Sequence, residues 1–346
     1  MMRTAVIPGD GIGPEVVNEA LPLLQWARDR GRNLEWEILP HGADRFLSTG
    51  EALSEPDFRR IRDTFDAILF GAVGDPRIPD HRHAEAILLR LRQDLQLRVN
   101  FRPCRPILDA HLPLKGVLAE DIWIEVFREN TEGPYCLQGE RKGDRAVDLA
   151  IHTREAVEGL LEAAFRRAEA RGCTLTLAHK ANVLRHGHGL WLEIFTELRR
   201  SIPSVRAQAL HGDALLCALV QNPRPFGVIA ADNYLGDLIS DLLAAFQGGM
   251  GVAPSASWAP HRPFRCAALF EPVHGSAPTL AGKGTANPMG MILSTALMFR
   301  HFGWEDEAAL VEAAVTQTLT ADQATEDLGG RLGTRAVGQA VRNRLG

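Results

Sequence analysis

Apolar and polar positions along this chain follow two rhythms, and the switch between them marks its elements. The apolar run Gly227 to Ala230 reads as a buried strand, after which Leu238, Ile239, Leu242, Leu243 and Phe246 recur with helical spacing. The same succession is present at the start. Thr4 to Ile7 predicts a strand, and the glycine-rich turn after it opens a helix running to Trp26. Leu34 to Leu39 is a second strand with alternating character. Ser54-Glu55-Pro56-Asp57 starts a helix like a capping box with Asp in the usual Glu place, and Asp66 to Phe70 is a buried strand. Further strands are expected over Ile122 to Phe127, Thr174 to Ala178, Val205 to Leu210 and Cys266 to Phe270. Helices are expected over Glu85 to Arg98, Arg154 to Arg171, from His188 and Trp191 onward, Met291 to Phe302 and Glu305 to Leu319, with a last one after Asp327-Leu328-Gly329-Gly330. Glu140 to Ile151 is polar and irregular, an arm or hairpin, and the Gly- and Pro-rich Gly248 to Ser255 reads as a return across a domain boundary. Strands alternating with helices predict an α/β fold with a largely parallel sheet, in which ligands collect beyond the carboxyl ends of strands.

Length and composition narrow this modestly. The 346 residues allow two domains or one large one. A formal net charge of -5 argues against a nucleic-acid partner held by a basic surface. Five widely spaced cysteines, Cys104, Cys136, Cys173, Cys217 and Cys266, form neither a zinc pattern nor a disulfide framework, so a reducing compartment is expected. The first apolar stretch breaks at Pro8 and Gly9, and no run approaches the roughly 20 apolar residues of a membrane helix. The expectation is a cytoplasmic protein without a membrane partner.

Candidate chemistry gathers at strand ends. Asp237 and Asp241 are four residues apart, so on a helix they share a face, about 5 to 6 Å apart at Cβ. Such carboxylates repel unless a cation lies between them, and their oxygens suit Mg²⁺ or Mn²⁺. The competing reading gives Asp237 to the helix dipole and Asp241 to solvent. Gly9-Asp10-Gly11-Ile12-Gly13-Pro14 is either a variant of the dinucleotide fingerprint or a tight turn that needs residues without a Cβ. Arg92, Arg102 and Arg128 are candidate carboxylate clamps, or surface charges. Tyr135 is one of only two tyrosines and either donates a proton or fills a structural place. Lys180 follows a buried strand, where a desolvated ammonium acquires a lowered pKa and serves as a base. Asp213 is a third carboxylate at a strand end.

Together these segments resemble the metal-dependent β-decarboxylating dehydrogenases of (R)-malate derivatives, the isopropylmalate, isocitrate, homoisocitrate and tartrate dehydrogenases. The resemblance runs through Ile7 to Gly13, Arg128-Glu129-Asn130-Thr131-Glu132-Gly133, His179-Lys180-Ala181-Asn182, Gly236-Asp237 with Ser240-Asp241, and Glu271 to Pro278, in the family's order. It implies a two-domain α/β fold with a mixed, largely parallel sheet that is not Rossmann. Residues 1–98 and 248–346 would form a discontinuous cofactor-binding domain, and 99–247 a dimerisation and metal/substrate domain, in a homodimer with shared active sites.

By the same resemblance Asp237, Asp241 and the partner-contributed Asp213 are metal ligands, Tyr135 the acid and Lys180 the base given to the other subunit. Arg92, Arg102, Arg128 and Asn182 would bind the substrate, and Glu85, Leu88 and Leu89 would choose it. The cofactor would meet Ile12, Gly74, His274, Gly275, Ser276, Ala277, Thr279, Asn287 and Asp327. Leu88 and Leu89 point to 3-isopropylmalate, while the adjacent Arg90 and the Glu-Asn-Thr-Glu-Gly and His-Lys-Ala-Asn-Val-Leu segments keep homoisocitrate, isocitrate and tartrate or malate as alternatives. Thr279 stands where NAD-using relatives carry Asp and some NADP-using ones Lys, and with no matching basic group the expected cofactor is NAD. Two other functions are weighed: a non-catalytic regulatory partner of a related dehydrogenase, which would lack ligands or base, and a metal-free Rossmann hydroxyacid dehydrogenase.

Overall fold

The computed structural model describes every residue from Met1 to Gly346. The first third of the chain runs β1 (Met2–Gly9), α1 (Gly13–Asp29), β2 (Leu34–Ile38), α2 (Ala43–Thr49), α3 (Glu55–Thr64) and β3 (Ala67–Ala72). There follow α4 (Arg82–Ala84), a π-helical turn (Glu85–Leu89) and α5 (Arg90–Asp94). The middle holds β4 (Val99–Cys104), β5 (Ile124–Glu129), β6 (Gly139–Lys142), β7 (Arg145–Asp148), α6 (Arg154–Arg171), β8 (Leu175–His179) and α7 (Gly187–Ser201). After these come β9 (Ala207–His211), α8 (Gly212–Gln221), β10 (Val228–Ala231) and α9 (Asn233–Phe246). The chain closes with β11 (Pro254–Trp258), β12 (Ala268–Pro272), α10 (Met289–His301), α11 (Glu305–Thr320) and α12 (Thr334–Arg342).

Ten strands form one sheet in the order β2-β1-β3-β12-β11-β4-β5-β10-β8-β9. Both flanks are parallel, and the centre, β12-β11-β4-β5, is antiparallel. This mixed sheet bears out the expected fold class and differs from the doubly wound Rossmann sheet. The parallel strands are apolar throughout, as β3 shows with all six residues buried, because helices cover both faces. Four hydrophobic clusters pack against the sheet. Two are drawn only from residues before 98 and after 251, and two only from residues between 99 and 246.

Local signals mostly hold. The Ser54 side chain accepts from the Asp57 amide and starts α3, and α6 has the expected limits, capped by Thr153 and ended by left-handed Gly172. Two expectations are corrected. The helix expected to reach Arg98 ends at Asp94 and contains the π turn. Part of the supposed boundary segment is strand β11, which pairs with the unforeseen β4. Their sequences hide them, because Asn100, Ser255 and Ser257 are fully buried polar residues. The polar arm is the hairpin expected of it, β6-β7, separate from the main sheet and almost wholly exposed. No helix is long and apolar enough to cross a membrane.

Candidate active site

Helix α9 begins directly after β10, where the Asp232 side chain accepts the Leu235 amide at 2.9 Å. Its next turns put Asp237 and Asp241 on one face, and one nitrogen of Arg102 reaches both carboxylates, at 3.2 and 3.3 Å. Arg128 also donates to Asp237, and the Tyr135 hydroxyl donates to its other oxygen at 2.7 Å. Arg128 passes under α9 because residue 236 is glycine: a Cβ there would lie 2.7 Å from the Arg128 Cγ. Asn233 fixes its guanidinium with two accepted hydrogen bonds, of 2.9 and 2.7 Å.

The electrostatics follow from burial. Burial opposes ionisation of Asp237, but Arg128 and Arg102 outweigh it and hold the carboxyl below the usual range. Asp241 is pushed the other way, by burial and then by the Asp237 charge, with Arg102 opposing. Burial, then Arg102, brings Arg128 down to about 10. Burial raises Tyr135 against the pull of Arg128, so its phenol keeps its proton.

Polar residues inside the sheet aim these groups. Arg102 Nε donates to Asn100 at 2.9 Å, and Asn100 donates to Ser255 at 2.7 Å and to Ser257 at 3.0 Å. Arg92 forms a buried ion pair with Glu271 at 2.7 Å. Asn100, Asn233 and Glu271 were not among the predicted site residues; the available signal was a polar residue inside an otherwise buried strand or at its end.

A cleft of about 110 Å³ beside this cluster is lined by Leu88, Arg92, Arg102, Glu271, His274 and Gly275 among others. Arg90 does not enter it. Its guanidinium bonds the Leu53 carbonyl at 2.9 Å, pairs with Glu55 and Asp94, and lies over the Phe58 ring at 4.6 Å. Glu85 is exposed and Leu89 half-buried, and neither lines the cleft.

Two loops meet next to the cleft's Val73, His274 and Gly275. Gly9 and Gly11 have φ of 73° and 60°, and a Cβ on Gly9 would lie 1.8 Å from the Ala72 carbonyl oxygen. The tight-turn reading of this segment therefore holds. The turn brings the Ile12 amide to the Ser276 carbonyl at 2.9 Å, and Gly74 against the Ser276 hydroxyl. Asp10 ties this region together, accepting from the Gly74 amide at 2.9 Å and lying 3.1 Å from the buried His83 Nε2. Burial lowers the His274 pKa, and its Nε2 is buried without a partner. Asn287 donates to Asp327 at 3.1 Å, Ala277 is half-buried, and Thr279 is exposed.

Lys180 and Asp213 stand apart from that cluster, paired with each other at 2.8 Å. The expected desolvated ammonium is absent within the chain: Lys180 lies one residue past β8, with its side chain about a third exposed. Asn182 is exposed beside it, and Asp213 opens α8 instead of ending β9.

Fold and site thus define an α/β enzyme whose cleft lies beside an arginine-aspartate-tyrosine centre and a set of glycine turns. The family model described as isocitrate/isopropylmalate dehydrogenase matches residues 3–341. The 3-isopropylmalate dehydrogenases of Thermobifida fusca and Streptomyces coelicolor are each 42% identical to this chain, with 99% and 97% of it covered and 98% and 99% of theirs. Among solved structures, isocitrate dehydrogenase from Methylococcus capsulatus superposes with a TM-score of 0.88 at 32% identity, over 100% of this chain and 99% of that one. A β-decarboxylating dehydrogenase from Thermococcus kodakarensis gives 0.80 at 36% identity, over 100% and 96%. The chain belongs to the isocitrate/isopropylmalate dehydrogenase family.

Proposed function

We propose that this protein oxidises and decarboxylates 3-isopropylmalate with NAD⁺ and a divalent metal ion, as a homodimer with shared active sites. One observation carries the choice of substrate: the cleft sets Leu88, with Phe70, Ala72 and Val73, in one lining with Arg92 and Arg102, while Arg90 is bound outside it. An apolar wall next to carboxylate-binding guanidinium groups suits a diacid with an alkyl branch. A third carboxylate, as in homoisocitrate or isocitrate, would call for a cation at that wall.

The donor set fits a hard divalent ion. Asp237 and Asp241 offer oxygens from one helix face, their side chains 30% and 38% exposed, and the pKa of Asp241 is raised first by burial and then by the neighbouring Asp237 charge. The segment of Ile12, Gly74 and His274 to Ala277 suits a dinucleotide, since Gly275 leaves open space for close approach and the His274 Nε2 is a buried polar atom without a partner. When bound, Mg²⁺ or Mn²⁺ would acidify the substrate hydroxyl and stabilise negative charge, and NAD⁺ would accept the hydride.

The remaining work falls to side chains. Arg92, Arg102 and Arg128 hold the carboxylates bidentately and orient the carbon that loses hydride. Lys180 Nζ takes the hydroxyl proton. Loss of carbon dioxide leaves electron density on the adjacent carbon, and the Tyr135 phenol returns a proton there. Lys180 and Asp213 complete the site of a second copy. That reading is supported by their separation from Tyr135, Asp237 and Asp241, by the unsupported β6-β7 arm, and by exposed apolar side chains at Val183, Val220, Tyr234 and Leu238. The division of the core clusters supports residues 1–98 with 248–346 as the cofactor domain and 99–247 as the dimerising one.

The test is NADH or NADPH formation by purified protein with Mn²⁺ and NAD⁺ or NADP⁺ respectively, across 3-isopropylmalate, homoisocitrate, isocitrate, tartrate and malate. The highest kcat/KM is expected for 3-isopropylmalate with NAD⁺. No turnover of any of the five would overturn the reading.

A further inference from the structure

The turn that carries Lys180 is fastened from behind by a histidine that the proposed reaction does not use. His188 is 1% exposed, and its Nδ1 accepts the Lys180 backbone N–H at 2.8 Å. An N–H aimed at Nδ1 requires a lone pair there, so the neutral ring carries its proton on Nε2. That nitrogen lies 3.4 Å from Oδ2 of the buried Asp232, whose Oδ1 starts α9 through the Leu235 amide. His152 packs edge-on against His188, ring centres 5.7 Å apart, and its own Nδ1 accepts the Trp191 indole N–H at 3.2 Å.

The ligating atoms of His152, His188 and Asp232 lie within 4.8 Å of one another, a spacing that would also suit a transition metal. The tautomers argue against one. Both Nδ1 lone pairs are already engaged, so both rings present Nε2–H, which has no lone pair to offer a metal.

We propose that His188 is a positioning residue for Lys180. It bonds the Lys180 amide and lies 3.4 Å from the carboxylate that begins α9, the helix whose outer face carries the exposed Tyr234 and Leu238. The turn itself is compact, since the Lys180 carbonyl accepts from both the Val183 and the Leu184 amides, at 3.0 and 2.8 Å. The amine, by contrast, ends a flexible four-carbon stem held only by Asp213. Where that amine reaches across a dimer is set by the origin of the stem, and His188 registers that origin to α9. The inference rests on the proposed role of Lys180 as a base, and one of its tests does not.

Three variants separate the bonds. His188→Asn keeps an acceptor at the place of Nδ1, His188→Gln keeps only a donor toward Asp232, and His188→Phe keeps neither. Amide hydrogen exchange of residues 179–184 needs no turnover. Exchange at Lys180 is expected to speed roughly 10-fold in His188→Phe and His188→Gln, as for loss of one hydrogen bond, and to stay slow in His188→Asn. With 3-isopropylmalate, NAD⁺ and Mn²⁺, kcat should fall about 10-fold in the same two variants, with KM within about twofold, and recover in His188→Asn. Unchanged exchange and kcat in folded His188→Phe would overturn the proposal, as would one equivalent of tightly bound zinc in the wild type that is lost in all three variants. If His188→Phe does not fold, the contrast between Gln and Asn decides. If the wild type turns over none of the malate derivatives, the functional reading fails, while exchange still decides the positioning.

Discussion

Tyr135 and Asp237 are joined by a hydrogen bond of 2.7 Å, phenol to carboxylate, and Arg128 contacts both by donating to Asp237 and lying 5.0 Å over the Tyr135 ring. Burial keeps the phenol protonated while the arginines keep the carboxylate ionised, so the donor and acceptor roles are fixed at neutral pH. Tyr135→Phe removes the proton and leaves the ring. Steady-state kinetics should show kcat lower by about 100-fold or more, with little change in KM or melting temperature.

Metal binding should be readable without turnover. A ligand that binds only the folded state adds about 2.7 kcal/mol at 100 times its Kd. Mn²⁺ is expected to raise the melting temperature of the wild type and to have little effect on Asp241→Asn, measured by calorimetry in chelator-treated protein. An equal rise in both would remove Asp241 from the site.

On the proposed reading, Leu88 is the residue through which the cleft selects an alkyl branch. In Leu88→Ser, kcat/KM for 3-isopropylmalate should fall by the 1 to 3 kcal/mol that a hydrophobic pocket commands, about 5- to 150-fold. The value for malate should change much less. A parallel loss for both substrates would mean that Leu88 supports the fold and not the choice.

Lys180→Ala and Tyr135→Phe should each be inactive, yet complement one another. If Lys180 serves the neighbouring subunit, a mixed dimer contains one intact site, and a random mixture recovers about a quarter of wild-type activity. The check is denaturation and refolding of the two together, against each refolded alone. No recovery would place acid and base on the same subunit.

Glu129 is buried beside Arg128, and burial raises its pKa from 4.5 to about 7, against hydrogen bonds from Thr131 and from the Glu132 amide. A folded-state pKa above the unfolded one means that this carboxyl favours folding most below pH 4.5, and that its contribution is lost as pH rises to about 7. The loss is on the order of 3 kcal/mol. Urea unfolding should show the wild type losing ground to Glu129→Gln across that interval, with a constant difference above it.

Where hydrophobicity drives an element, its sequence announces it. The apolar runs in β3 and β10 and the helical spacing in α6 and α9 needed no tertiary information, because burial against a neighbour demands one particular periodicity. The same spacing put Asp237 and Asp241 on one face of a helix. Strands β4 and β11 escaped because their inward residues include Asn100, Ser255 and Ser257, and a polar side chain is stable in a core only when specific partners meet it there. Those partners are more than 150 residues away along the chain, and no local pattern encodes them.

The family motifs and strand-end chemistry were thus fixed by residue order, while the direction of each side chain was not. Arg90 and Arg92 are two positions apart in one short helix; one is bound to α3 and the other faces the cleft and Glu271. Lys180 and Tyr135 read equally as reactive groups, but only Tyr135 meets Asp237 within the chain. The physical reason is common to these cases. Periodicity reports which side of an element is buried, whereas an ion pair or hydrogen bond depends on the position of a distant second group, which exists only once the sheet has assembled.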